Sequence, residues 1–361
     1  MKSTRRITVT KFYISGTAQQ IEACDDFIGV APELLLALRN LGYRRADCND
    51  AELYIALNHD LTAFEKVSKR SNFKKKVLIR IEPDVVHPIQ YRSEIEKMYD
   101  LVITPGGVLH SQTKFLNYPN PYRPSANHLR PSKRDLSLTE FLQIQSNRET
   151  LNYSSWINRP YDTVFIGSNK VSAIKSNYSK RQHLVLRSDK LGIDVFGSGW
   201  NMNFFSRFAE SVRVGKYSLA ARTVPQISSL FSGIFFRFPK TFGFGENKLQ
   251  ILERYRYNII IENSQNIFTE KLIDSLVTGA IPIYDGPNPN PFGIPEDIIL
   301  RFDGSPSGAL ESMLNVDSRK LKEIKQYSSQ YVMSREFIST FAAEQVYGSI
   351  AKSIDKLMQT R

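Results

Sequence analysis

The polar side chains best suited to binding an anionic ligand lie in one continuous segment, which reads YRYNIIIENSQNIFTEKLIDSLVTGAIPIYDG. Glu262, Asn263 and Ser264 follow a strongly apolar run, and Glu270 and Lys271 come a few residues later. A lysine supplies a point charge for a diphosphate, and a carboxylate accepts hydrogen bonds from ribose hydroxyls. The order of these residue types is consistent with a nucleotide site. An ordinary first-turn acid beside a surface lysine is the structural alternative.

The elements that must position these residues can be read from the same segment. NIII predicts a strand, ENSQN a polar turn, and IPIY a second strand after an intervening helix. Thr269 fits the N-cap of that helix and Gly279 its C-terminal stop. Ligands of open α/β sheets lie beyond the carboxyl ends of the strands, and a helix N-terminus favours phosphate. We therefore expect the polar residues to converge at one edge of a parallel sheet.

The segment resembles the donor-binding signature of the α-1,3/4-fucosyltransferases, glycosyltransferase family 10. That signature has the form Y-[KR]-[FY]-N-x-x-x-E-N-S, then T-E-K-L, then G-x-[IV]-P-[IV]. The matching positions are Tyr255, Arg256, Tyr257, Asn258, Glu262, Asn263, Ser264, Thr269, Glu270, Lys271, Leu272, Gly279, Ile281, Pro282 and Ile283. The resemblance implies donor contacts from Tyr255, Asn258, Glu262, Asn263, Ser264, Glu270 and Lys271.

Shorter matches to the same family occur upstream of this segment. FIGSNK resembles the turn that opens the family's donor domain, and IDVFGSG resembles its second strand and glycine turn. These matches add Ser168, Asn169 and Gly197 to the implied donor site. Arg181 falls where the family has an arginine that contacts the donor diphosphate, and Lys248 falls where it has a lysine. The resemblance covers residues 163–301 well and the first half thinly.

The resemblance implies the α/β fold called GT-B, in which two Rossmann-like domains face each other across a cleft. It also implies transfer of fucose from GDP-fucose with inversion at the anomeric carbon. Residues 1–155 would then form the acceptor-binding domain and residues 156–340 the donor-binding domain. Residues 341–361 would form a C-terminal helix that packs back on the first domain. The alternation of strands and helices in both halves agrees with two α/β domains.

Inversion needs a base for the acceptor hydroxyl and stabilisation of the departing diphosphate. The base of the family is a glutamate that follows a strand of the acceptor domain, and KVLIRIEP has that form. The resemblance therefore implies that Glu82 is the base and that Arg181 and Lys271 stabilise the leaving GDP. Asp84 is the competing base. The structural alternative makes Glu82 a loop acid paired with Arg80.

Two departures from the family pattern bear on the donor. The family usually has Tyr where Phe268 precedes the Thr-Glu-Lys triplet, and an apolar or aromatic residue where this chain has Asp285. Both departures leave another nucleotide sugar open as the donor. No Asp-x-Asp triplet occurs, so the metal clamp typical of GT-A enzymes is absent. We expect no cofactor and no requirement for a divalent metal.

Short apolar runs outside this segment predict further strands and helices. Strands are predicted at 7–14, 53–57, 76–81, 101–104, 163–166, 194–196, 258–261, 281–284 and 298–301. Helices are predicted at 32–41, 90–98, 139–147, 175–189, 248–254, 270–278 and through most of 318–361. The stretch 105–131 contains five prolines and predicts an irregular loop. The stretch 201–242 fits no clear pattern.

The composition excludes several classes of protein. The chain is 41% hydrophobic and 23% charged, with 22 Phe and 17 Tyr, which excludes disordered, collagen-like and coiled-coil chains. Its two cysteines, Cys24 and Cys48, cannot form a disulfide framework or a four-cysteine zinc site. No signal peptide and no apolar run of about 18 residues is visible. We therefore expect a cytoplasmic protein.

The charge of the chain indicates anionic partners. Lys and Arg number 48 against 36 Asp and Glu, a formal net charge of +12. Basic runs at 69–70, 74–76 and 133–134 are either a solvated surface or a peripheral contact with a membrane or polyanion. No zinc-finger or RNP pattern supports specific nucleic-acid binding. The expected partners are a nucleotide-sugar donor and an oligosaccharide or polysaccharide acceptor, lipid-linked glycans included.

Three hypotheses follow. The first is an inverting transferase of fucose from GDP-fucose to a hydroxyl of a glycan. The second keeps the fold and the reaction but uses another nucleotide sugar. The third is a degenerate, non-catalytic protein of the same fold that binds glycans or polyanions, for which the basic charge is the argument.

Overall fold

The computed structural model describes most of the chain. The described ranges are 10–16, 31–70, 72–105, 114–124, 136–170, 176–200, 247–265 and 267–360, with 172, 174, 212, 238–239 and 241–243. The predicted start of the first strand at 7–9 and almost all of 201–242 lie outside these ranges.

Two parallel sheets form the framework of the described residues. The six strands of the first sheet are β1 Lys11–Ser15, β2 Arg44–Arg45, β3 Leu53–Leu57, β4 Lys75–Ile79, β5 Leu101–Pro105 and β6 Phe115–Tyr118, in the order β2-β1-β3-β4-β5-β6. The five strands of the second are β7 Tyr161–Ile166, β8 Ile193–Phe196, β9 Tyr255–Ile261, β10 Ile281–Asp285 and β11 Leu300–Arg301, in the order β11-β10-β9-β7-β8. The central strands are almost continuously apolar, as expected for parallel strands covered on both faces.

Helices connect the strands and cover both sheets. In the first half they are α1 Pro32–Asn40, α2 Leu61–Ser68, α3 Ser93–Glu96 and α4 Leu138–Asn147. In the second half they are α5 Tyr153–Ile157, α6 Tyr178–Leu186, α7 Ser188–Leu191, α8 Lys248–Leu252, α9 Glu270–Thr278 and α10 Pro306–Leu314. The C-terminal helices are α11 Ser318–Val332, α12 Arg335–Phe341 and α13 Ala343–Gln359. No helix in the described ranges is both long and apolar enough to cross a membrane.

Several predicted elements have different bounds or are interrupted. The helix predicted at 90–98 is a 3-10 turn, Pro88–Tyr91, followed by α3, because Arg92 between them is extended. The strand predicted at 298–301 is a 3-10 turn, Glu296–Ile298, followed by β11. The C-terminal stretch is divided into three helices, and Ser334 caps the second of them.

The prediction of an irregular loop through 105–131 is wrong at 115–118. Those residues contain no proline and pair with β5 as the sixth strand, β6. Tyr118 at the end of β6 is buried and donates a hydrogen bond to the carbonyl of Arg80 at 2.7 Å. The prolines therefore bound a short strand and do not prevent one.

The last helix returns to the first sheet. Val346, Tyr347, Ile350 and Ile354 of α13 are buried in the same core as α1 and strands β1, β3, β4 and β5. The segment before α13 also pairs with the first half, because the backbone of Tyr122 exchanges hydrogen bonds with Phe341 and Ala343. The two ends of the chain thus contribute to one core.

Candidate active site

Glu82 lies just beyond the carboxyl end of β4, and its backbone is held on both sides. The N–H groups of Ile81 and Glu82 donate to the side-chain oxygen of Asn58 at 2.8 and 3.0 Å. The carbonyl of Glu82 accepts from the Gln90 amide at 2.8 Å and from the Tyr91 hydroxyl at 3.1 Å. Among the described residues no hydrogen bond or ion pair engages the Glu82 carboxylate. The carboxylate is therefore available to a ligand.

Charges of the second half act on this carboxylate. Burial raises the pKa of Glu82, Lys170 lowers it, and Glu270 raises it again. Lys170 follows β7 and Glu270 begins α9, so Glu82 of the first half faces the carboxyl-end edge of the second sheet. A base and the candidate donor residues are thus brought to one cleft.

Two alternatives to Glu82 as the base were open: a structural pairing of Glu82 with Arg80, and Asp84 as the base. Arg80 is fully buried, and its guanidinium pairs with Glu96 at 2.6 Å and lies 4.1 Å from the centre of the Tyr91 ring. The structural alternative, in which Arg80 pairs with Glu82, is wrong. Asp84 accepts a hydrogen bond from the N–H of Val85 at 2.8 Å. Asp84 as the base is left for experiment.

The N-terminus of α9 is built around a buried carboxylate. Glu262 has no exposed surface and accepts from the N–H of Thr269 at 3.0 Å, from its hydroxyl at 2.6 Å and from the Lys271 ammonium at 3.1 Å. Thr269 occupies the predicted N-cap, but its side chain donates to Glu262 and makes no capping bond. Glu262 thus positions Thr269 and Lys271, and its expected donor contact stays a prediction.

A second cluster of charged side chains connects α8 to α9 and, through a tyrosine, to the first half of the chain. The Lys248 ammonium lies 2.5 Å from Asp274 and 3.6 Å from Glu270. Burial lowers the pKa of Lys248, but these two carboxylates outweigh it and hold the pKa above its ordinary value. The other oxygen of Asp274 accepts from the Tyr122 hydroxyl at 2.9 Å. Sequence reasoning missed Tyr122 and Asp274, because each looks like a core residue in its own segment.

A narrow cleft opens beside this group. Its lining residues are Ile166, Lys248, Leu252, Asn258, Ile259, Ile260, Lys271 and Asp274. Asn258 lies in the middle of β9, is nearly buried and is one of these lining residues. The cleft therefore brings together two ammonium groups, one amide and the Asp274 carboxylate that pairs with Lys248.

Arg181 is buried and supports the turn after β9. Its Nε and Nη2 donate to the carbonyl of Ile261 at 3.0 and 2.6 Å, and Nη2 also donates to Asn263 at 2.7 Å. The guanidinium lies 4.9 Å from the centre of the Tyr178 ring. These contacts fix the position of Asn263, and a diphosphate contact by Arg181 stays a prediction. Ser264, the next residue of the turn, is buried as well.

The predicted residues after β7 serve mainly to hold a turn. Asn169 donates from its backbone to Ser198 at 2.8 Å and from its side chain to Gly199 at 3.1 Å, and it accepts from Gln182 at 2.9 Å. The hydroxyl of Ser168 accepts from that of Ser198 at 3.2 Å. This bracing leaves Lys170, the next residue, at the edge that faces Glu82.

Gly197 is required by packing between two turns. Its φ is +131°, and a Cβ there would lie 2.0 Å from the carbonyl oxygen of Gly167. A side chain is excluded by the neighbouring backbone, so the need for glycine does not depend on a ligand. The expected donor contact of Gly197 stays a prediction.

The described contacts of Tyr255 are structural, and its expected donor contact stays a prediction. Tyr255 begins β9, where its hydroxyl donates to Asp194 at 2.8 Å and its ring stacks on Tyr161 at 5.0 Å. The site lies at the other end of the strand, about 20 Å away at roughly 3.3 Å per residue. The motif spans a whole strand, and only its second half reaches the site.

Both departures from the family pattern have structural roles. Phe268 is fully buried and stacks on Phe292 at 5.8 Å, so its missing hydroxyl does not face the cleft. Asp285 accepts from Lys180 at 2.7 Å and from Gln265 at 2.8 Å. Whether either residue alters the choice of sugar stays a prediction. Within the described ranges no three His, Cys, Asp or Glu side chains are grouped to hold a metal ion, and metal-independent transfer stays a prediction.

Comparisons with known proteins identify the fold. No family model and no curated protein matches the sequence. The structure resembles an alpha1,3-fucosyltransferase with GDP (TM-score 0.51, 12% identity, 100% of this chain and 94% of that chain). It also resembles a glycosyltransferase from Rickettsia africae ESF-5, with a TM-score of 0.50, 10% identity and coverage of 98% of this chain and 99% of that chain. A third match is Anabaena Alr3699/HepE with UDP-glucose, with a TM-score of 0.51, 10% identity and coverage of 96% of this chain and 99% of that chain. The two parallel sheets and these likenesses show the GT-B fold.

Proposed function

We propose that this protein is an inverting glycosyltransferase that transfers fucose from GDP-fucose to a hydroxyl group of an oligosaccharide or polysaccharide. The observation that carries the proposal is the position of Glu82. Its carboxylate has no hydrogen bond or ion pair among the described residues, and it faces Lys170 and Glu270 across the cleft of a GT-B fold. A general base needs access to the substrate proton, a carboxylate that is not engaged by other side chains, and a raised pKa.

The second sheet supplies what the leaving group requires. α9 begins at Glu270, and the dipole of a helix favours an anion such as a diphosphate near its N-terminus. Lys271 stands in that turn with part of its side chain exposed, and Lys248 lines the same cleft. Charge that develops on the diphosphate is therefore met by two ammonium groups and the end of a helix.

The reaction can then be written with these residues. Glu82 takes the proton of the acceptor hydroxyl as the oxygen attacks the anomeric carbon. The bond between that carbon and the diphosphate oxygen breaks, and its electron pair leaves with GDP, stabilised by Lys271. Attack on the face opposite to GDP inverts the anomeric centre. None of these steps requires a metal or a cofactor.

The choice of GDP-fucose rests on the sequence signature. The ENS turn and the TEKL helix start match family 10, and one structural neighbour is an alpha1,3-fucosyltransferase with GDP. Another nucleotide sugar is the second candidate, because the Anabaena protein with UDP-glucose has the same TM-score. Phe268 and Asp285, the two departures from the family pattern, are the sequence argument for this second candidate.

A donor panel tests the proposal without knowledge of the acceptor. Release of nucleoside diphosphate by slow hydrolysis would be followed for GDP-fucose, GDP-mannose and UDP-glucose. We expect GDP release from GDP-fucose, with the first-formed free sugar of inverted anomeric configuration by NMR. Release from UDP-glucose alone would favour the second candidate. Failure of all donors, with no GDP or UDP binding by calorimetry, would favour a non-catalytic polyanion-binding protein.

A membrane contact would use a surface remote from the cleft. The runs at 69–70 and 74–76 lie at the end of α2 and the start of β4, whereas Glu82 follows the opposite end of β4. The run at 133–134 lies outside the described residues. We propose that this basic surface binds anionic headgroups near a lipid-linked acceptor. Cosedimentation with phosphatidylglycerol vesicles tests it, and binding equal to that of neutral vesicles would contradict it.

A further inference from the structure

Asn58 makes an unusual set of contacts beside Glu82. It follows β3, is nearly buried, and its side-chain oxygen accepts from the N–H of Ile81 at 2.8 Å, the N–H of Glu82 at 3.0 Å and the side-chain amide of Gln90 at 3.3 Å. All three partners donate, so the atom must be the amide oxygen. One side chain thus organises the segment that carries the proposed base.

Gln90 completes the arrangement from the other side. Its side chain is fully buried, and its Nε2 also donates to the carbonyl of Glu82 at 2.8 Å. Its Oε1 accepts from the N–H of His59 at 3.2 Å. The Asn58 and Gln90 side chains therefore hold the Glu82 backbone at both its N–H and its carbonyl, and we call the pair the amide clamp.

The clamp lies where the hydrogen bonds between β4 and β5 end. The N–H of Arg80 still donates to the carbonyl of Ile103 at 2.8 Å, in continuation of the sheet. The next two N–H groups, of Ile81 and Glu82, donate to Asn58 instead. Because Asn58 substitutes for a neighbouring strand, the chain can leave the sheet at a fixed angle and direct Glu82 into the cleft.

The backbone of Asn58 is itself strained. Its φ is +58°, and among the described non-glycine residues only Glu149 shares a positive φ. Asparagine tolerates this conformation better than most residues, but glycine tolerates it best. Strained backbone that the surroundings hold in place tends to occur at functional sites.

We propose that the amide clamp of Asn58 and Gln90 is a positioning device that holds Glu82 in the geometry for proton transfer. The proposal rests on the proposed function of Glu82 as the base. The described side-chain contacts of Asn58 are with the backbone of Ile81 and Glu82 and with Gln90, so we assign it a positioning role and not a catalytic one. Its removal should therefore reduce kcat and leave nucleotide affinity unchanged, whereas a purely structural residue would alter both through stability.

Two substitutions separate the clamp from the backbone conformation. Asn58→Gly keeps the positive φ and removes the amide, and Asn58→Asp keeps an oxygen acceptor. We expect Asn58→Gly to lower kcat about 10- to 100-fold, as a misplacement of roughly 1 Å can do, with GDP affinity within about twofold. Asn58→Asp should retain most of kcat but move the acid limb of the pH profile upward, because it adds negative charge beside Glu82. Glu149→Gly is the matched control and should leave kcat unchanged.

Amide hydrogen exchange provides a readout that does not depend on catalysis. The peptide that contains Ile81 and Glu82 should exchange faster in Asn58→Gly than in the wild type or in Asn58→Asp. Unchanged exchange there would overturn the clamp even if no donor were turned over. Faster exchange with kcat within twofold of the wild type would overturn its positioning role. Absence of GDP binding in the wild type would instead reject the proposed function, and the exchange result would still decide whether the clamp exists.

Discussion

The Tyr122 hydroxyl of the first half donates a 2.9 Å hydrogen bond to Asp274 of α9 in the second half. Both residues are buried, and burial together with the Asp274 carboxylate holds the pKa of Tyr122 well above its ordinary range. Asp274 also pairs with Lys248, which lines the cleft. The contact between the two halves is thus continuous with the candidate site.

Tyr122→Phe should lower the free energy of unfolding by about 1–3 kcal/mol, because Asp274 loses a buried donor. Chemical denaturation measures this change. Tyr161→Phe is a suitable control, since its hydroxyl accepts from Arg254 in an exposed contact. Equal stabilities of the two variants would show that the Tyr122–Asp274 bond contributes nothing specific.

Asp285→Asn should leave the choice of donor unchanged. Asp285 is occupied by Lys180 and Gln265 and does not face the cleft as a free carboxylate. The variant should unfold at a lower denaturant concentration, because the ion pair with Lys180 is largely shielded from water on the Asp285 side. The ratio of hydrolysis rates for GDP-fucose and UDP-glucose is the test. A large change in that ratio would show that Asp285 helps to select the donor and would contradict this prediction.

Lys271→Met should weaken GDP binding about 10- to 100-fold, the range for one charge-assisted contact. Lys271 lies in the first turn of α9, and its ammonium pairs with Glu262 at 3.1 Å while part of the side chain stays exposed. Isothermal titration calorimetry measures the affinity. Lys190→Met removes the same charge from an exposed position on α7 and should bind GDP like the wild type. Indistinguishable affinities would remove Lys271 from the donor site.

Lys170→Gln should move the acid limb of the pH profile of kcat/KM to higher pH. The base must be ionised, so activity rises as pH passes through the pKa of Glu82. Burial raises that pKa, Lys170 lowers it and Glu270 raises it, and removal of Lys170 leaves only the two raising influences. The Tyr91 hydroxyl donates to the Glu82 carbonyl and not to its carboxylate, and it stays neutral because burial raises the pKa of Tyr91. Lys170→Arg should restore the wild-type profile. An unmoved limb in Lys170→Gln would contradict the proposed interaction.

The sequence alone predicts those parts of the site that depend on local signals. Thr269 and Gly279 bound α9 at Glu270–Thr278 as predicted, since a polar entry and a left-handed glycine exit are local features. The apolar run of β3 likewise has its predicted bounds, Leu53–Leu57. The GT-B fold expected from the resemblance is confirmed by the two parallel sheets.

The remainder of the site depends on contacts between distant segments. Asn58 reaches Glu82 because β3 and β4 are neighbours, and Tyr122 reaches Asp274 across 152 positions of the chain. Tyr255 and Glu262 belong to one sequence motif, but β9 separates them by the length of a strand. Spacing in the sequence therefore identified candidate residues without showing which of them lie together.

The most direct test of the account compares Glu82→Gln with Asp84→Asn in the release of GDP from GDP-fucose. Both variants remove one carboxylate charge from the same loop, and GDP affinity by calorimetry serves as the check that the donor site is intact. The account predicts that Glu82→Gln loses release by a factor of about 100 or more while Asp84→Asn stays near the wild type, with GDP bound equally by all three. Near-wild-type release by Glu82→Gln would contradict the assignment of Glu82 as the base.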